Sequence, residues 1–107
     1  MKIEPYEGLT LSENQLTVFR LLAENYDSWR ESGWYLFRGI AKETGIEERL
    51  CRLAVRALKR KGLVQYGVLV DDEGRPSGSG HACSEKGAEV FERMEELERV
   101  REEAKTL

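Results

Sequence analysis

Ile40-Ala41-Lys42-Glu43-Thr44-Gly45-Ile46, then Ala54-Val55-Arg56-Ala57-Leu58-Lys59-Arg60-Lys61-Gly62-Leu63-Val64, is the stretch on which the fold turns. The first part reads as the end of a helix over about Phe37 to Thr44. Phe37, Ile40 and Ala41 share its inner face, and Gly45 supplies the left-handed residue that closes it. The second part belongs to a helix from about Glu47 to Lys61. Its apolar residues Cys51, Ala54, Val55 and Leu58 fall at offsets 0, 3, 4 and 7, one stripe of a helical period. Gly62 ends that helix behind Lys59, Arg60 and Lys61, cations that suit the negative end of a helix. Ile46, in the short turn between the two helices, is placed to plug a core beneath them.

Working outward towards the N-terminus, Ser12-Glu13-Asn14-Gln15 has the form of a capping box. Leu16, Phe19, Leu22, Ala23 and Tyr26 follow at helical steps and predict a helix over about 12–29. Trp29 to Gly33 reads as a loop, Trp34-Tyr35-Leu36 as a short strand, and residues 1–11 as an arm. Towards the C-terminus, Leu63 to Val70 is rich in β-branched residues and predicts a strand. Asp71 to Gly80 is a polar, Gly-rich turn, and His81 to Ser84 returns as a second strand. Ser84 is a suitable N-cap for a last helix over about 85–105, whose apolar positions include Val90, Phe91, Met94, Leu97, Val100, Ala104 and Leu107. The fold class expected is α+β, mainly α. It is a winged helix-turn-helix with a two-stranded β wing, a short third strand and a long C-terminal helix. Residues 1–107 are expected to form one domain, with the winged-helix core at 12–87 and the last helix, 88–107, as a possible dimerisation element.

The 107 residues are 40% hydrophobic and 35% charged, too apolar for a disordered chain and too charged for a membrane protein. No apolar run approaches the roughly 20 residues that span a bilayer. Met1-Lys2-Ile3-Glu4-Pro5 lacks the apolar core of a signal peptide, so a cytoplasmic protein is expected. Cys51 and Cys83 form no framework and are expected to be reduced and packed. The net charge of −3 hides an uneven distribution: −3 over residues 1–34, +5 over 35–70 and −5 over 71–107. Binding to a polyanion depends on the local field at the contact face more than on the total.

The quoted stretch resembles the helix-turn-helix of the MarR/ArsR-type winged-helix regulators. Ser84-Glu85-Lys86-Gly87 is similar to the start of the helix that follows the wing in the MarR family, and the acidic turn with Arg75 is similar to that family's wing. The resemblance covers about residues 12–95. It implies a sequence-specific, double-stranded DNA-binding transcriptional regulator that acts as a homodimer through its terminal helices.

The residues themselves are compatible with that reading. Arg49, Arg52 and Arg56 recur at steps of 3 and 4 and form one basic stripe on the outer face of the third helix. Arginine forks suit guanine edges and phosphates. Arg49 and Arg52 are expected nearest the bases. Arg56, Lys59 and Arg60 are assigned to phosphates, Arg38 and Lys42 to the flanking backbone, and Arg75 to an adjacent minor groove. Leu97, Val100, Ala104 and Leu107 repeat at 3, 4 and 3, which reads either as a dimer seam or as packing on the first helix of the same chain. Tyr26, Trp29, Trp34 and Tyr35 are expected in the core.

Other readings stand beside this one. An arginine stripe is in many proteins a solvated face. Glu47 and Glu48 open the third helix where phosphates would repel them, and Leu50 and Leu53 lie beside the arginines. Those four residues favour the alternative, a winged-helix protein-protein interaction module without DNA binding. Gly74-Arg75-Pro76 has the core of an AT-hook, but its neighbours are acidic. His81 and Cys83 share a strand face, yet two candidate ligands do not make a zinc site, and no metal or cofactor is expected. No nucleophile–base set or phosphate loop stands out, so no enzyme is expected. A small-molecule effector is compatible with a regulator, but no residue pattern names one.

Overall fold

The computed structural model of the chain describes residues 2–6, 8–26 and 33–106. In chain order the elements are β1 (Lys2–Tyr6), β2 (Leu9–Ser12), α1 (Glu13–Glu24), α2 (Phe37–Thr44), α3 (Glu48–Arg60), β3 (Val64–Val70), β4 (Pro76–Cys83) and α4 (Glu85–Thr106). Three helices, α1 to α3, pack around one core, and the β3–β4 hairpin stands beside them as the wing. The expected winged helix-turn-helix is the architecture observed.

The core draws residues from all four helices, from β2 and from the base of the wing. Val18, Phe19 and Leu22 of α1, Ile40 of α2, and Cys51, Val55 and Leu58 of α3 are all buried. Leu63, Cys83 and Met94 close it from the wing base and α4. Interiors this close-packed tolerate little loss of volume, and a Leu-to-Ala change at such a site costs about 2–5 kcal/mol. The four α3 positions predicted to face inward do so without exception.

The turn from α2 to α3 is fixed by short-range chemistry. Gly45 adopts φ 75° and its N–H reaches the Ala41 carbonyl at 2.8 Å. Thr44 Oγ1 donates to the Ile40 carbonyl (2.7 Å) and accepts from the Ile46 N–H (3.2 Å). Ile46 then packs on the core edge. These bonds set the angle at which α3 crosses α2, and so which face of α3 looks outward.

Three features differ from the sequence reading. Residues 1–11 do not form an arm over their described part: β1 pairs antiparallel with β2, and Leu11 is fully buried. Ser12 ends β2 and at once caps α1, its Oγ accepting from the Gln15 N–H at 3.2 Å while Gln15 Oε1 accepts from the Ser12 N–H at 3.1 Å. Second, α1 stops at Glu24 rather than near residue 29. Asn25 Nδ2 takes the Leu21 carbonyl at 2.8 Å, a side-chain bond that competes with continuation of the helix. Residues 27–32, which include Trp29 and most of the expected loop, lie outside the described residues. Third, β4 begins at Pro76, well before His81. Ladder pairing needs only backbone groups, so the Gly- and Ser-rich tract pairs with the β-branched β3 despite lacking strand-like side chains.

The short third strand is reduced to one bridge, Tyr35 opposite His81, with both N–H···O bonds at 2.8 Å. Gly80 explains the close approach, because a Cβ there would stand 3.1 Å from the Tyr35 backbone. At the other end of the wing, Ser84 Oγ accepts from the Gly87 N–H at 2.9 Å and donates to the Gly62 carbonyl at 2.5 Å. The first turn of α4 is thereby seated against the end of α3.

The inner half of α4 packs on α1. Phe91 meets Phe19 edge-to-face with ring centroids 6.0 Å apart, Met94 is buried, and Arg20 pairs with Glu98 at 2.5 Å. Beyond Glu98 the helix carries mostly exposed residues, Val100 and Ala104 among them. The first half of α4 thus packs on its own chain, and the second half leaves Val100 exposed.

Candidate nucleic-acid interface

α3 presents Arg49, Arg52, Arg56, Lys59 and Arg60, and α2 presents Arg38 and Lys42, all exposed. Arg52, Arg56 and Lys59 line one hollow together with Phe37 and His81, while Arg60 lies beside Thr10, Ser12 and Gln15. Among the described residues, no carboxylate lies within 4 Å of Arg38, Lys42, Arg56, Lys59 or Arg60.

The other candidates are engaged. Arg49 Nε lies 3.5 Å from Glu47 Oε1, and Arg52 Nη2 lies 3.5 Å from Glu48 Oε1. Arg75, at the wing tip, pairs with Asp71 at 3.4 Å and also with Glu73. All these groups are solvent-exposed, and exposed pairs are worth about 0–1 kcal/mol, so they exchange readily for another anion. The tip itself is well defined: Asp71 Oδ1 accepts from the N–H groups of Glu73 and Arg75, each at 2.9 Å. Of the two leucines expected beside these arginines, Leu53 is 49% exposed and Leu50 is half-buried.

An aromatic support that no sequence motif announced lies between α3 and the wing. His81 is buried and stacks on Phe37 with ring centroids 4.9 Å apart, and on Tyr66 at 5.1 Å. The Arg52 guanidinium sits 5.1 Å from the Phe37 centroid, and the Lys59 ammonium 5.4 Å from that of Tyr66. Phe37, Arg52, Val55, Arg56, Lys59 and His81 line a hollow of about 220 Å³. Burial holds the His81 imidazole below its ordinary pKa, and the nearby Lys59 charge acts in the same direction. The one usable signal was β pairing: once 64–70 and 76–83 are set in register, Tyr66 falls opposite His81. Tyr66, Val68 and Val70 share one face of β3 and are exposed.

Among the described residues, no group of three His, Cys, Asp or Glu side chains is arranged to hold an ion. Burial pushes the Cys83 thiol up to about 12, and burial also raises that of Cys51, which keeps both protonated at neutral pH. Among the described residues no helix is long and apolar enough to cross a membrane. Of the proposed dimer seam, Leu97 is half-buried, Val100 and Ala104 are exposed, and Leu107 lies outside the described residues.

This architecture defines a winged helix-turn-helix protein. No protein-family model matches the chain, and no curated protein matches it in sequence. Solved structures do. MepR, a transcription regulator of the Staphylococcus aureus multidrug efflux pump MepA, superposes with a TM-score of 0.63 at 17% identity, over 91% of this chain and 66% of that one. A MarR family regulator from Neisseria meningitidis gives 0.58 at 16% identity, over 83% of this chain and 56% of that one. A protein from Ralstonia eutropha JMP134, named as a candidate DNA-binding protein, gives 0.59 at 19% identity over 78% of this chain and 96% of that one. The fold is therefore that of the MarR-type winged helix. The chain spans less than two thirds of the length of MepR and of the Neisseria regulator.

Proposed function

We infer that this chain binds double-stranded DNA sequence-specifically, as a transcriptional regulator working as a homodimer. In this reading α3 enters the major groove, which is wide enough for one helix. Arg49 and Arg52 lie nearest the bases. Arg56, Lys59 and Arg60 meet phosphates, Arg38 and Lys42 meet the flanking backbone, and Arg75 follows the adjacent minor groove. The observation that carries the reading is the set of five cations on α2 and α3 with no carboxylate within 4 Å among the described residues. The charge at the contact face, more than the chain's total of −3, governs attraction to a polyanion.

The test is a gel-shift titration against salt. If about five phosphates are neutralised per subunit, log K falls with log salt at a slope near −4.5, a loss of several hundredfold between 50 and 200 mM. A flat response would overturn the reading. A second reading, a protein-docking module, draws on the exposed Leu53, Tyr66, Val68 and Val70 and on the Glu47–Glu48 pair. No retardation of any duplex at 50 mM salt would leave that reading in place.

A further inference from the structure

Glu48 and Arg52 stand one turn apart at the start of α3, their side chains 51% and 55% exposed, with Arg52 Nη2 3.5 Å from Glu48 Oε1. Arg52 is held from a second side by Phe37, 5.1 Å below its guanidinium. Phe37 in turn is stacked on the buried His81. Resting on the DNA-binding reading above, we propose that Glu48 and Arg52 together read one G·C base pair, and that Phe37 is the positioning residue that aims Arg52.

A carboxylate facing DNA is repelled by phosphates everywhere except at a base donor, and cytosine N4 supplies such a donor in the major groove. An arginine fork needs two adjacent acceptors, and guanine N7 and O6 are the pair that provides them. In one G·C pair, O6 and the N4 amino group are neighbours, bonded to each other at about 2.9 Å. The base pair thus offers two acceptors followed by a donor. Arg52 beside Glu48 offers donors followed by an acceptor at 3.5 Å, the complement of that edge. An A·T pair breaks the match, since adenine N6 is a donor where the fork requires an acceptor. The pair is neutral as a unit, so it adds little to phosphate attraction, and what it contributes is discrimination. Arg49 and Glu47 also stand 3.5 Å apart, but they are two residues apart rather than one turn, and among the described residues no aromatic ring lies beneath Arg49.

The experiment is selection from a randomised duplex library, followed by titration of the selected site. The wild type is expected to fix a G·C pair at one position per half-site. Replacing that guanine with 7-deazaguanine, which lacks N7 but keeps Watson–Crick pairing and charge, weakens binding by about 5- to 150-fold, the range of a good bidentate contact. Arg52→Ala and Glu48→Ala each relax that position and no other. Phe37→Leu relaxes the same position, and Phe37→Tyr restores it. Arg56→Ala, by contrast, lowers affinity alike for all sequences. Binding with no fixed G·C pair, or a G·C pair that persists in Glu48→Ala, overturns this proposal and leaves DNA binding standing. Absence of binding to any duplex at low salt overturns both.

Discussion

His81 shows how much a single side chain can carry. Its backbone pairs with both Tyr66 and Tyr35, and its ring lies between Phe37 and Tyr66. Burial disfavours the imidazolium, so the folded-state pKa lies below the unfolded value of about 6.5. The sign follows from linkage. Above that value both states are neutral and stability is whole. As pH falls through it, the unfolded chain takes up the proton first, and stability declines until the folded pKa is passed. Urea titrations at pH 7.5 and pH 5.5 are expected to show a larger acid loss in wild type than in His81→Phe, and equal losses would rule out this role for His81.

Gly87 supplies a second residue-scale case in which the sign decides. On propensity alone, Gly to Ala inside a helix gains about 1 kcal/mol. Here a Cβ would overlap the Leu63 carbonyl and stand 2.8 Å from Cys83 Sγ. Backbone cannot yield as a side-chain tip can, so Gly87→Ala is expected to destabilise by about 1–3 kcal/mol. A stabilised variant in the same urea titration would mean that α4 is not seated as described.

Among the elements, the helices were legible because a 3.6-residue period is recorded in every turn. Cys51, Ala54, Val55 and Leu58 announced the buried face of α3, and Gly45 and Gly62 announced the ends of α2 and α3. The N-terminal hairpin was not legible, because β1 and β2 are short and Pro5 interrupts the first; Gly8, at φ 86°, was the only turn signal. The wing was half legible. Strand propensity marks β3, but β4 is mostly Gly, Ser and Ala and is a strand because β3 lies beside it. The cationic surface was visible as a sequence stripe, and Glu47 and Glu48 beside it were legible too, being local to the start of α3; the ring beneath Arg52 required the packing of α2 on α3. The α1 boundary gives an element-scale prediction. Ser12→Ala removes the side-chain acceptor of the capping box, and a loss of about 1 kcal/mol is expected in thermal or urea unfolding. No loss would show that the β2 pairing alone defines the helix start.

At the scale of the whole molecule, the longest axis is 56 Å against 29 and 22 Å for the others. A helix of 22 residues runs about 33 Å, more than the α1 it packs on can cover. The proposed homodimer places Leu97, Val100 and Ala104 of two chains against each other there. Sedimentation equilibrium is expected to give twice the chain mass for wild type and a shift towards one chain mass for Val100→Glu. A wild type at one chain mass would remove the dimer and leave the fold untouched.

The Ser84 hydroxyl bonds the Gly62 carbonyl and the Gly87 amide, and Lys86 Nζ adds a bond to the Lys61 carbonyl at 3.1 Å. The Ser84 and Lys86 side chains therefore tie the residues just after α3 to the first turn of α4. In a two-fold pair built on α4, that helix is a lever arm. A few degrees of tilt at its far end would swing both reading heads bodily, changing the distance between them without altering either one's shape.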